Sequence, residues 1–250
     1  YTAQEEMIRW RLWNRTGAGL MAELGSHQLD ASGIFIASQF KGGAKVQPLS
    51  VTGVGHKALY PGDRDVDDHI YCTFEYPGKG YFEEDDPKKP VVDDRKRVGV
   101  FYSSINSNAF GNYGEVVYGD QGTLILEQEA ETMLYKSGAP TSVTVNEKDD
   151  LIDSSESGGP AAAVAAAVTE KPSRGYREEI EHWAWCIRNG EPPETLKCPP
   201  KVAMADAVIA LTANQAIREQ RRIEFKPEWF DPESDDTPEG IAPKKAADIG

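Results

Sequence analysis

A glutamate and a histidine four residues apart, Glu23 and His27, are the best-placed pair in this sequence for moving a proton. On a helix, side chains at positions i and i+4 lie on one face within reach of each other. A carboxylate beside an imidazole stabilises the charged ring and fixes its tautomer, so the pair can exchange a proton with a hydroxyl or carbonyl group. Asp30 follows three residues later, where it could orient the histidine. The alternative is an ordinary histidine at the edge of the core that is held by a carboxylate, since ion pairs at this spacing are common on helices.

A short segment rich in aromatic and basic residues precedes the pair. Trp10, Arg11, Trp13 and Arg15 follow one another closely there. Aromatic rings stack on sugar rings, and guanidinium groups bind hydroxyls and carboxylates. We therefore take Arg11 and Arg15 as candidate substrate contacts. For either tryptophan alone, packing is the competing interpretation.

Hydrophobic spacing indicates the elements that position these residues. Apolar residues recur at helical spacing between residues 20 and 38, which predicts an amphipathic helix. The period changes to two from about residue 46 to residue 145, which is typical of half-buried strands. Short turns such as 119–122 join successive strands and predict an antiparallel sheet. The helical face comprises Leu20, Leu24, His27, Ala31, Ile34 and Phe35.

Two further helices follow the predicted sheet. One begins at Tyr176 and ends at Gly190, and the other begins at Pro200. A last short strand is predicted at 222–225. Together these elements predict one α+β domain over residues 1–230, followed by an acidic flexible tail over 231–250.

The composition excludes several function classes. Lys plus Arg number 27 and Asp plus Glu number 41, so the net charge is −14. A chain this acidic is a poor general partner for nucleic acid or for an anionic membrane. No apolar run approaches the roughly 18 residues that indicate a transmembrane helix. We therefore expect neither a nucleic-acid nor a membrane partner.

The three cysteines, Cys72, Cys186 and Cys198, never form a CxxC pair. A disulfide framework or a cysteine zinc site is therefore not expected. Cys72 and Cys186 stand in apolar patterns and are predicted to be buried free thiols. Free thiols in an acidic chain suit a cytoplasmic protein, which is our expectation for its location.

Familiar cofactor and catalytic motifs are missing from the sequence. No GxGxxG stands at a strand-to-helix junction, and no GxxxxGK[ST], HExxH or GxSxG occurs. The chain therefore has no recognisable phosphate cradle for a dinucleotide. The acidic run at 63–68 fails the calcium-loop pattern and is predicted to be a solvated turn before a strand. The four histidines lack metal-ligand spacing, so no metal is expected and a metal-dependent hydrolase is a weak alternative.

Four segments carry a family resemblance. Residues 17–30, GAGLMAELGSHQLD, form a glycine-rich turn followed by a pattern similar to D-x-G-x-H-x-x-D. Residues 68–78, 113–124 and 205–225 are similar, in order, to an early strand, a G-x-x-G-T-L hairpin and a closing helix with a last strand. Over residues 8–230 the chain resembles the second domain of the glucose–fructose oxidoreductase/inositol dehydrogenase (Gfo/Idh/MocA) family.

The resemblance implies a fold and a division of labour. It implies the family's C-terminal domain, a large and mostly antiparallel open-faced β-sheet with helices packed on one face. The N-terminal Rossmann domain, which binds most of the NAD or NADP in the family, would be absent from this chain. The family's histidine maps onto His27 as proton acceptor or donor at the reacting carbon. Its aspartate maps onto Glu23, Asp30 is implied to be structural support, and Tyr113 is a candidate substrate contact.

The predicted function follows from this resemblance. It is the substrate-binding and catalytic-histidine domain of an NAD(P)-dependent oxidoreductase that acts on CH–OH groups of a sugar, polyol or related cyclic alcohol. The isolated chain is expected to be inactive, and a homo-oligomer through the sheet face is expected. The alternative is a non-catalytic carbohydrate-binding or oligomerisation scaffold, which Glu23 in place of aspartate favours. Lys171 of the Glu170-Lys171-Pro172 sequence receives no catalytic role, because it follows the histidine helix and no strand leads into it.

Overall fold

The structure is a computed structural model that describes residues 4–106, 113–128, 131–136, 144–146, 151–153 and 175–241. The chain divides into two compact units, one formed by residues 1–108 and 193–250 and the other by residues 109–192. The division lies inside the predicted domain 1–230, whose boundaries stay a prediction. Each unit is α+β, as the sequence predicts.

A four-stranded antiparallel sheet forms the centre of the first unit. Its strands stand in the order β3-β2-β1-β9. Their bounds are β1 Ser50–His56, β2 His69–Pro77, β3 Arg97–Ile105 and β9 Ile223–Glu224. β2 pairs along its whole length with β3, from His69 opposite Ile105 to Pro77 opposite Arg97. The antiparallel prediction and the last strand are both confirmed.

Helices cover one face of this sheet and leave the other face open. In β2 the alternate residues Ile70, Cys72, Phe74 and Tyr76 are buried in the core with residues of both helices. The residues between them point to the opposite face, because successive side chains of a strand alternate. The covering helices are α2 Ser26–Ala37 and α4 Pro200–Glu219. A short helix, α1 Gln4–Ile8, precedes them.

Small residues let α4 lie close to β1. A Cβ atom added at Gly53 would stand 2.8 Å from the Cys72 sulfur and 3.0 Å from Ile217 Cγ1. The buried side of α4 is correspondingly rich in alanine, with Ala210, Ala213 and Ala216 fully buried. The helix begins with proline in its first turn, which suits a position that needs no backbone N–H.

The second unit holds the predicted hairpin. A three-stranded antiparallel sheet comprises β4 Gly114–Tyr118, β5 Gly122–Glu127 and β6 Glu131–Lys136. A two-stranded hairpin, β7 Thr144–Asn146 and β8 Leu151–Asp153, and helix α3 Tyr176–Asn189 follow. Gly190 ends α3 with a left-handed φ of 64°, as predicted. The Glu170-Lys171-Pro172 sequence lies outside the described residues.

The cysteine prediction is confirmed for both core positions. Cys72 and Cys186 are buried free thiols, whereas the Cys198 side chain is exposed. Burial raises the pKa of the Cys72 thiol to about 12. Within the described ranges, no helix is long and apolar enough to cross a membrane.

Candidate active site

The helix that carries His27 begins with a strained turn and one turn of π-helix. Ala18 and Gly19 have left-handed φ values of 52° and 69°. The π turn, Met21–Gly25, then runs directly into α2. Left-handed backbone costs a non-glycine residue about 1–3 kcal/mol, and such strain clusters at functional sites. Single π turns inside helices have the same tendency.

Glu23 lies in this π turn and forms an ion pair with Arg11. The Glu23 side chain is 22% exposed and the Arg11 side chain 64% exposed. The Arg11 guanidinium also lies over the Trp10 ring, 5.2 Å from its centroid. Glu23, which was predicted to be catalytic, and Arg11, which was predicted to contact a substrate, are thus brought together through a contact that the spacing did not predict.

The predicted contact between Glu23 and His27 is not formed. His27 is exposed and makes no hydrogen bond with any residue that the structure describes. Two features explain the missing contact: the geometry of the π turn, and the presence of Arg11 as another partner for Glu23. The prediction assumed α-helical geometry, but a π turn has i→i+5 bonding, and the guanidinium of Arg11 offers Glu23 a permanent charge with forked donors. His27 remains one turn further along the same continuous helix.

Tyr60 is a residue of this region that sequence reasoning missed. Burial raises the pKa of its phenol, the charge of Asp68 raises that pKa further, and Glu23 adds to the effect. The contribution of Glu23 means that the two side chains are electrostatic neighbours. The Asn106 amide donates a hydrogen bond to the Tyr60 hydroxyl oxygen, so the hydroxyl hydrogen is left to donate elsewhere.

A buried carboxylate holds the loop that carries Tyr60. Asp68 is fully buried and accepts backbone N–H bonds from Ala58, Leu59 and Tyr60 at 2.8, 2.7 and 2.6 Å. Its other neighbour is Nδ1 of His69, at 2.5 Å. Burial by itself would raise the pKa of Asp68, but these hydrogen bonds outweigh it and hold the pKa well below its usual range. The predicted solvated acidic turn is therefore wrong for Asp68.

A second acidic residue of that run ties the loop to the N-terminal segment. Asp65 accepts the backbone N–H of Asn14 at 2.6 Å. The bond joins residues 51 positions apart and sets the loop against the chain between Arg11 and Arg15. No local sequence pattern predicts such a bond, because it depends on the folded path of the chain.

Arg15 forms an ion pair with Glu6 of the same chain. Its Nε donates to Glu6 Oε1 at 3.0 Å, and its Nη2 approaches both Glu6 carboxylate oxygens at 2.7 Å. The Glu6 side chain is only 9% exposed. This bidentate pair anchors α1, and substrate contact through the remaining donors of Arg15 stays a prediction.

Asp30 lies beside a second carboxylate. It forms an ion pair with Lys45, in the segment that leads to β1. Asp206 of α4 is half-buried nearby, and burial followed by the charge of Asp30 raises its pKa to about 6, while Lys45 acts in the opposite sense. The structural role predicted for Asp30 is compatible with these contacts and stays a prediction.

Tyr113 belongs to the second unit. It stands directly before β4, is 42% exposed, and donates through its hydroxyl to the Gln128 carbonyl at 3.4 Å. Its role as a substrate contact stays a prediction.

The described residues do not fit a nucleotide cofactor or a metal ion by themselves. Every described strand pairing is antiparallel, so no βαβ unit offers a helix N-terminus to a pyrophosphate. No cluster of His, Cys, Asp and Glu in the described part has the geometry to hold a metal.

Solved structures with the same fold are oxidoreductases and NAD-binding proteins. An inositol dehydrogenase homolog complexed with NAD+ from Azotobacter vinelandii matches with a TM-score of 0.54 and 14% identity over 89% of this chain and 53% of that one. An NAD-binding protein from Listeria innocua matches at 0.52 and 14%, over 86% and 54% of the two chains. An oxidoreductase from Sinorhizobium meliloti matches at 0.51 and 15%, over 82% and 52%.

The chain shares its fold with part of these proteins. It spans about half the length of each of them. At such identity the likeness concerns the fold alone. No model of a protein family matches the sequence, and no curated protein matches it.

Proposed function

We propose that this chain is the substrate-binding half of an NAD(P)-dependent oxidoreductase that acts on CH–OH groups of a sugar, polyol or related cyclic alcohol. The observation that carries the proposal is the exposed His27 imidazole, which lies one turn beyond the ion pair of Glu23 with Arg11 on the same helix. Its fold likeness to NAD-binding oxidoreductases supports the cofactor class. Because the described residues form no nucleotide cradle, the cofactor would be held mainly by chain beyond this one.

Each residue of the site has a proposed task. His27 is exposed and free of hydrogen bonds in the described structure, so its imidazole can take the proton of a substrate hydroxyl and return it. Glu23 accepts a hydrogen bond from a second hydroxyl, while Arg11 donates to a substrate oxygen and holds Glu23 in place. The Tyr60 hydroxyl donates to a third oxygen. A bound nicotinamide would supply the hydride chemistry.

A turnover assay on the full-length protein tests this proposal. NAD+ or NADP+ is offered with a panel of aldoses, linear polyols and cyclic polyols, and nicotinamide reduction is followed. The Tyr60→Phe variant keeps the ring and removes one hydroxyl, so kcat/KM should fall about tenfold. Tyr81→Phe is the matched control, since Tyr81 is buried in the same unit and has no part in the proposed site. Reduction that never depends on an added alcohol would contradict the proposal.

A non-catalytic scaffold remains the second candidate. The observation that favours it is that His27 has no carboxylate partner among the described residues, because Glu23 pairs with Arg11 instead. A scaffold would bind sugars or polyols in calorimetry without any nicotinamide reduction. The same assay therefore separates the two candidates.

The open face of the first sheet supports a homo-oligomer. Val54, Phe101 and Ile105 are 60%, 68% and 40% exposed there. At one edge Glu75 accepts hydrogen bonds from Arg97 and Arg222, both at 2.7 Å. An exposed apolar band with a polar rim is typical of a protein–protein contact.

A further inference from the structure

A cavity of about 300 Å³ lies at the end of the sheet where β1 stops and β2 begins. Its walls come from the last turn of α4, the two ends of the loop between β1 and β2, and the turn before the π-helix. None of Arg11, Arg15, Glu23 and His27 lines it. The volume is at the lower end of the range for small-molecule pockets.

Two cations line this cavity and keep most of their donors free. Arg218 is exposed at the end of α4 and makes no hydrogen bond or ion pair in the part of the chain that the structure describes. Lys57 donates to the Arg64 carbonyl at 2.5 Å and has two further N–H bonds. The two side chains therefore have N–H donors that no described residue accepts from.

One carboxylate in the wall lies near the charge of Lys57 but keeps its hydrogen-bond acceptors unused within the described residues. Asp67 is half-buried and makes no hydrogen bond to any described residue. Asp65, by contrast, is engaged by the Asn14 backbone. A Cβ atom added at Gly55 would stand 2.4 Å from Asp67 Oδ2, so glycine at that position leaves the room that the carboxylate occupies.

The walls of the cavity are fixed by buried contacts and strained backbone. Asn214 of α4 donates to the Ala18 carbonyl at 2.6 Å and ties the helix to the turn. Ala18 keeps a left-handed φ of 52° although it is not glycine. The bonds to Asp68 fix one end of the loop that contributes Lys57 and Asp67. Strain that is held by surrounding contacts is a mark of ligand sites.

We propose that this cavity binds a small hydroxylated carboxylate, a sugar acid in chemical class, with the ligand carboxylate on Arg218 and a ligand hydroxyl on Asp67. A guanidinium matches a carboxylate in fork geometry, and its five donors exceed what one protein carboxylate can satisfy. Asp67 accepts from a hydroxyl and thereby gains the hydrogen bond that the fold does not supply. The site is separate from Glu23 and His27, and the proposal does not depend on the proposed oxidoreductase activity.

Calorimetry on the full chain tests the proposal with two matched probes. Gluconate and sorbitol share a six-carbon hydroxylated skeleton, and only gluconate has a carboxylate. Gluconate is expected to bind at least about tenfold more tightly than sorbitol, because one charge-assisted pair contributes that much. Equal affinity for the two probes, or no binding of gluconate, overturns the proposal.

Two arginines in the same region provide a matched comparison. Arg218→Gln should weaken gluconate binding roughly tenfold or more and leave sorbitol binding unchanged. Arg221→Gln removes the same charge three residues away, but Arg221 pairs with Glu219 and does not line the cavity, so gluconate binding should be unchanged. An equal loss in both variants would mean a general charge effect and would overturn the site.

A variant of the other wall tests the hydroxyl contact. Asp67→Asn keeps the size of the side chain and removes a strong acceptor, so gluconate and sorbitol should both bind several-fold more weakly. A far-UV spectrum like that of the parent shows that the fold is retained. Unchanged binding of both probes would contradict the assigned role of Asp67.

Discussion

Asp68 illustrates how one buried carboxylate organises a loop. Three consecutive backbone N–H groups and the His69 ring surround it, so an anion is stabilised where burial alone would destabilise it. Tyr60 is the last of these three residues and points its hydroxyl toward Asn106. The loop thereby gives the candidate site a hydroxyl group that no sequence motif predicts.

Replacing Asp68 should therefore loosen the loop. In Asp68→Asn an amide NH2 meets backbone donors, so the free energy of unfolding at pH 7 should fall by about 2 kcal/mol, measured by urea titration. Asp63→Asn is the control, because Asp63 is exposed and its ion pair within the described residues is with the neighbouring Arg64. A loss below about 0.5 kcal/mol, the usual range of surface substitutions, would contradict the assigned role.

The contribution of Asp68 to the stability of the fold should depend on pH. The pKa of Asp68 is lowered in the folded state, so its contribution to stability is present above the unfolded pKa of about 4 and is lost as pH falls below it. The stability difference between parent and Asp68→Asn should accordingly shrink in acid. A difference that stays constant below pH 4 would contradict this account.

The contact between α2 and α4 brings two carboxylates together, so its electrostatics is unfavourable. Asp206 of α4 faces Asp30 of α2, and Lys45 balances only part of their repulsion. Burial and then the charge of Asp206 raise the pKa of the Tyr76 phenol, whose hydroxyl has no hydrogen-bond partner among the described residues. Ionised Asp206 therefore costs stability in this helix pair.

Asp206→Asn should stabilise the protein at neutral pH. The folded pKa of Asp206, about 6, lies above the unfolded value, so the penalty is absent below pH 4, grows between pH 4 and 6, and is complete above that range. Because Asp206 is partly solvated, the gain at pH 8 should be only about 1 kcal/mol. Thermal unfolding at pH 4 and pH 8 measures it, with the exposed Asp235→Asn as control. A gain at both pH values would contradict the mechanism.

Elements with strong periodicity were predictable from sequence, and contacts between distant residues were not. The hairpin around 119–122 and the end of α3 at Gly190 follow from turn chemistry. A helix forms within 20–38, but its predicted apolar face is wrong, because Leu24 and Ile34 are exposed while Met21, Leu29 and Ile36 are buried. The π turn, the Arg11–Glu23 pair and the Asp65–Asn14 bond depend on how separate segments meet. A charge run such as 63–68 also looks the same in sequence whether its members are solvated or, like Asp68, buried.

At the scale of the whole molecule, the open sheet face is the feature that most affects association. Val54, Phe101 and Ile105 form an exposed apolar band on the side away from α2 and α4. Such a band is costly to leave in water and is stabilised by burial against a partner. A second copy of the chain is the partner proposed for it.

Phe101→Glu should dissociate the proposed oligomer. A charge on this face would be buried without a partner in the contact, so light scattering should report a monomer where the parent forms an oligomer. Tyr118→Glu is the control, since Tyr118 is 83% exposed and belongs to β4 of the other sheet. A parent that is monomeric at micromolar concentration, or a variant with unchanged mass, would contradict the proposed contact.

The most direct test of the central claim is the effect of His27→Ala on the full-length protein, measured as kcat together with the affinity for NAD(P). The account predicts that kcat falls roughly a hundredfold or more while the cofactor affinity stays the same, because His27 moves a proton and the cofactor is held elsewhere. The matched His182→Ala variant, in α3 of the second unit, should keep the parental kcat. An unchanged kcat in His27→Ala, or an equal loss in both variants, would contradict the assignment of His27 as the proton-transfer residue.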